Sequence, residues 1–146
     1  MAVNAGMRNV PDTPNNKKLD VLVQSKALWQ HTLNITSNEK VFNPKFDKVL
    51  LNDVLSTVKN IHMYCLKANL IRVTDVETFR TRMMLQERAI VESEYLTEYI
   101  SLSRSLYHLR GKKATNWSRK NEDLRGSIKK WHNADKSRYK EELNIK

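Results

Sequence analysis

The sequence predicts an all-α protein: a four-helix bundle protomer, up-down and antiparallel. Three observations predict it. Apolar residues recur at three- to four-residue steps in four separate segments. Residues of the capping type open two of these segments, Asn43-Pro44 and Thr74-x-x-Glu77. The bend at Ala68 to Thr74 is flanked by helical patterns of more than twenty residues, which suits a bundle better than a helix-turn-helix. A chain of 146 residues has room for one such domain.

Residues 1–16 carry Gly6, Pro11, Pro14 and five Asn or Asp residues without apolar periodicity, so a mobile arm is expected, and Met7 is a second candidate start. Helix one is expected over 17–35, with Leu19, Leu22, Val23, Leu28, Trp29 and Leu33 as its buried stripe. "NITSNEKVFNP" breaks the period, and Asn43 followed by Pro44 opens helix two, 44–69. Two stripes lie side by side there: Phe46, Val49, Leu50, Val54, Val58, Ile61 and Cys65, and then Leu51, Leu55, His62 and Leu66. Such a helix needs contacts on two sides. Thr74 and Glu77 form a capping box for helix three, 75–109, which carries Val76, Phe79, Met83, Ile90, Leu96, Ile100 and Leu106. Gly111 is the expected left-handed stop. Helix four, 115–139, keeps Trp117, Leu124, Ile128 and Trp131 on one narrow stripe, and residues 141–146 form a tail.

The excess of 26 Lys/Arg over 16 Asp/Glu gives a net charge of +10, which points to nucleic acid, an anionic membrane or an acidic partner. Residues 111–140 hold ten Lys/Arg against three Asp/Glu, so +7 of that charge sits on helix four and its immediate flanks. A solubilising face needs less charge than this, whereas phosphates reward clustered cations through counterion release. The expected nucleic-acid-binding residues are Lys112, Lys113, Arg119, Lys120, Arg125, Lys129, Lys130, His132, Lys136 and Arg138. Of these, Arg119, Arg125, Lys129, Lys130 and Lys136 form an outer ridge, at least about 100° from Leu124 on the helical wheel. A bilayer surface would need a wider apolar face than this stripe offers, so no membrane partner is expected. The heptad spacing of Trp117 and Trp131 favours packing over base stacking.

No catalytic, cofactor or metal residues are expected. His31, His62, His108 and His132 are scattered over four helices without ligand spacing, and there is no glycine-rich phosphate loop. Arg82 and Arg88 are placed to pair with Glu87, Glu92, Glu94 and Glu98 along helix three. Cys65, the single cysteine, reads as a small buried hydrophobe. With no apolar run of spanning length and no signal-peptide pattern, the expected location is cytoplasmic.

"NITSNEKVFNP", "RMMLQERAI" from Arg82 to Ile90, Trp117, and Trp131 with "ADKSRY" up to Tyr139 resemble a family of small bacterial four-helix-bundle proteins. That group includes the accessory variability determinants of diversity-generating retroelements and the bundle proteins encoded in ribosomal RNA intervening sequences. The likeness runs in order from Leu19 to Tyr139. For the accessory branch it implies a non-enzymatic, basic homopentamer that binds a reverse transcriptase and its template RNA or RNA/DNA hybrid and supports mutagenic copying. The alternative is a structural RNA-binding bundle without a polymerase, and a third class is a module that meets an acidic protein. Two positions depart from the family. Lys45, Phe46, Asp47 and Lys48 stand where relatives carry an arginine-containing stretch, and His132 stands where arginine is common.

Overall fold

The computed structural model describes residues 14–145, with side chains from residue 20 onward. The chain forms α1 (Pro14–Thr36), a 3₁₀ turn (Pro44–Phe46), a π-helical turn (Asp47–Leu51), α2 (Asn52–Leu70), α3 (Val76–Leu106) and α4 (Gly111–Glu142). There is no strand among the described residues. α1 packs on α2 and α4, and α3 packs on α2 and α4. Cross-helix partners run in opposite chain directions: Arg82 meets Asp135 and Ser93 meets Asn121 between α3 and α4, and Thr32 meets Trp117 between α1 and α4. The architecture is an antiparallel four-helix bundle. The expected arm lies outside the described residues except for 14–16, which already belong to α1, and α4 runs two residues into the expected tail.

The buried face of α1 differs from its expected stripe. Val21, Ser25, Leu28, Thr32 and Thr36 face the core, while Val23 is 61% and Leu33 44% exposed; the Leu19 side chain lies outside the described residues. Three hydroxyl residues hide this face from a reading of apolar letters. Thr32 Oγ1 donates to Leu28 O at 2.8 Å and Thr36 Oγ1 to Thr32 O at 2.7 Å, so each polar group is satisfied within its own helix and can be buried.

Asn43 does cap the segment that follows, accepting from the Lys45 amide at 3.0 Å. The expected helix two begins there as 3₁₀ and π turns before α2 proper, and the wide π turn resets the register. Leu50 is accordingly buried, while Val49, expected on the same stripe, is 68% exposed.

The capping box at the start of α3 is shifted by one residue. Asp75 rather than Thr74 is the cap: its Oδ1 accepts from the Thr78 amide at 2.8 Å, and Thr78 Oγ1 accepts from the Asp75 amide at 3.1 Å. Asp75 wins because a carboxylate is a strong acceptor at a helix start. At the other end α3 stops at Leu106, before its expected end, with Tyr107 N–H on Ser103 O at 2.9 Å and His108 at φ +55°. His108 is thus in a turn, not a helix. Gly111 is left-handed at φ +69°, but it opens α4 instead of closing α3.

Phe42, Phe46, Tyr107 and Trp117 close one end of the bundle, with Phe42 and Tyr107 ring centres 4.5 Å apart. Phe79 and Tyr139 pack edge to face at the other end.

Candidate nucleic-acid interface

α4 is anchored as a packed helix. Trp117, Leu124, Ile128 and Trp131 are all buried, and Trp117 Nε1 donates to Thr32 Oγ1 at 3.0 Å. Neither tryptophan presents a face to a base. A rigid inner stripe therefore holds the outer side chains in fixed relative positions along an unbroken helix of 32 residues.

At about 100° per residue, the cations of α4 fall on three lines instead of one ridge. Arg125, Lys129, Lys136 and Lys140 flank α3, with His132 among them; Lys112, Arg119 and Lys130 point away from the bundle; Lys113, Lys120 and Arg138 lie toward α1. Contacts agree with this placement. Arg125 and His132 touch α3, and the Lys120 charge is felt by His31 of α1. Lys112, Lys113, Arg119, Lys120, Lys129, Lys130 and Lys136 are exposed, and no described carboxylate forms a salt bridge with them.

Three of the expected contact residues are engaged within the bundle. Arg125, assigned to the outer ridge, is mostly buried, with 13% of its side chain exposed; its Nη1 donates to Thr97 Oγ1 at 3.0 Å and lies 3.4 Å from Glu94 Oε2. A flank position within reach of α3 carboxylates draws the guanidinium inward. His132 Nε2 sits 3.0 Å from Glu87 Oε2 for the same reason. Arg138 bonds Glu142 one turn on at 3.0 Å and stacks over the Tyr139 ring.

Reading by periodicity missed the most buried ionic group of the protein. Asp135 falls on the inner stripe of α4, four residues beyond Trp131, and has no exposure. Its Oδ2 accepts from Arg82 Nε and from Gln86 Nε2, both at 2.7 Å. Arg82 Nη1 also donates to the carbonyls of Ala68 and Ile71 at 3.2 Å, covering the C-terminal end of α2. The guanidinium carbon lies 5.4 Å from the Trp131 ring centre and 5.6 Å from that of Tyr139. One side-chain cluster thus ties three helices together. An acid on an apolar stripe was the available signal, because a buried carboxylate requires a buried cation.

Arg82 is therefore unavailable to the carboxylates of α3, three of which pair across helices instead: Glu87 with His132, Glu92 with Asn60, and Glu94 with Arg125. Burial pushes the Cys65 thiol up to about 12. His62 Nδ1 lies 2.7 Å from Ser25 Oγ, and burial, then the Lys26 charge, lowers its pKa. Among the described residues no three His, Cys, Asp or Glu side chains gather where a metal could sit, and no helix is long and apolar enough to cross a membrane.

Comparison with known proteins finds no matching family, curated protein or solved structure.

Proposed function

We propose that this protein is a non-enzymatic accessory of a reverse transcriptase that binds the template RNA or RNA/DNA hybrid along α4. The observation that carries the reading is the belt of seven exposed cations, without described salt-bridge partners, on three lines of one packed helix. Such a belt meets phosphates at several azimuths and reads no base identity. The polymerase partner rests on the resemblance of the sequence motifs to the retroelement accessory proteins.

Self-association is part of the proposal, with five subunits preferred on the same resemblance. Val91, Tyr95 and Leu102 stand exposed on the outer face of α3 at steps of four and seven residues. Apolar residues at this spacing suit a seam between helices of neighbouring subunits.

The test is reconstitution with a reverse transcriptase encoded beside this gene. Joint elution of the two proteins with salt-sensitive RNA binding is the expected result. RNA binding without association, or a gene lying inside a ribosomal RNA operon, transfers the reading to a structural RNA-binding bundle. Failure to bind RNA at all leaves an acidic protein as the partner of α4.

A further inference from the structure

An open groove of about 230 Å³ runs between the first half of α3 and the last third of α4. Its floor is apolar. Phe79 and Met83 contribute their edges, and Met84 is 39% exposed there. Its rim is cationic, with Arg80 from α3 and Lys136 and Lys140 from α4. Glu87 is the single carboxylate of the lining, and His132 engages it at 3.0 Å.

A floor and rim of this kind suit a flat apolar group carried between anions. A duplex offers its phosphates but keeps the faces of its bases stacked on each other, so the floor would gain nothing from it. A single strand offers both. The groove is smaller than the roughly 300–1,000 Å³ of sites that enclose a drug-sized ligand, which limits it to one ring system. Thioether side chains adapt to the shape of a flat ring. The line of Lys129, Lys136 and Lys140 continues the rim along α4, matching a polymer with a repeating negative charge better than a short acidic peptide.

We propose that this groove takes one unpaired base of a single-stranded nucleic acid, with the flanking phosphates on Arg80, Lys136 and Lys140. The proposal rests on the nucleic-acid reading of α4 and adds a preference for unpaired strand that the belt alone does not have.

The experiment compares two labelled oligonucleotides of about twelve nucleotides, a length within the range of single-strand sites, one complete and one with abasic positions at its centre. Both carry the same phosphates. The parent is expected to bind the complete strand about fourfold more tightly, the factor of roughly one buried methylene. Met84→Gln, at an exposed position, should bring the ratio to one while leaving the affinity for the abasic strand and the thermal melt unchanged. Equal binding of the two strands by the parent overturns the groove assignment and leaves the belt intact. Absence of binding to either strand defeats the belt reading and this one with it. A preference for the complete strand that survives Met84→Gln places the base elsewhere. Displacement of both strands from the parent, but not from Met84→Gln, by an acidic leucine-containing peptide makes the groove a peptide site.

Discussion

Replacing Asp135 with alanine removes the one carboxylate that balances a guanidinium with only 1% of its side chain exposed. Arg82 Nε and Gln86 Nε2 both lose their 2.7 Å acceptor, and the cation keeps only the Ala68 and Ile71 carbonyls. Breaking a buried pair from one side costs about 3–5 kcal/mol. In a chain of 146 residues that loss lowers Tm by roughly 10–15 °C. The reverse single variant, Arg82→Met, should cost about as much, because it strands the carboxylate in place of the cation. The pair Arg82→Met with Asp135→Leu strands neither charge, so its destabilisation should fall at least about 2 kcal/mol short of the sum of Arg82→Met and Asp135→Leu. Urea titrations followed by circular dichroism and by tryptophan fluorescence give all these values, and Trp131 is a reporter beside the cluster. An Asp135→Ala protein with the parent's midpoint, or single costs that simply add, would refute the view that this ion pair is one closed buried unit.

Two further outcomes follow from the titrating groups. Cys65, with its thiol pushed up to about 12, should remain unmodified by a thiol-specific disulfide reagent at pH 8 in the folded protein and react fully in denaturant; rapid labelling of the native state would contradict its burial. His31 and His62 are both held below the ordinary value of 6.5, by burial first and then by the charges of Lys120 and Lys26. Folding therefore disfavours their protonated forms, so their contribution to stability is full above that value and is lost as pH falls below it. The urea midpoint should drop between pH 7 and pH 5, and His31→Gln with His62→Gln should flatten that drop; an unchanged slope in the double variant assigns it to other groups.

The parts of the fold legible in the sequence are those where burial and hydrophobicity coincide. Trp117, Leu124, Ile128 and Trp131 show α4 and its inner face because nothing polar interrupts them at those four positions. The face of α1 was misread because Ser25, Thr32 and Thr36 bury hydroxyl groups that hydrogen-bond within their own helix or to a neighbour. Register slipped at Val49 because a π turn is invisible to a 3.6-residue period. In the candidate interface, composition located the basic helix, but cross-helix geometry decided which cations remain outside. Arg125 and Lys129 share a flank, yet only Arg125 meets Thr97 and Glu94. The motifs "RMMLQERAI" and "ADKSRY" prove to be two halves of one buried cluster, with Arg82 and Gln86 in the first and Asp135 and Tyr139 in the second. Those letters report packing.

The belt on α4 is tested most directly by the salt dependence of RNA binding for the parent and for the protein carrying Lys129→Glu and Lys130→Glu. These residues lie on two different lines of the belt, both exposed and off the buried stripe, so circular dichroism should show an unchanged fold. Each phosphate neutralised contributes about 0.7–0.9 to the slope of log affinity against log salt. The account predicts a steep slope for the parent, a slope about 1.4–1.8 units shallower for the reversed protein, and weaker binding at every salt concentration. A folded variant that binds as tightly as the parent with the same slope would contradict it and reduce the belt to a solvated surface.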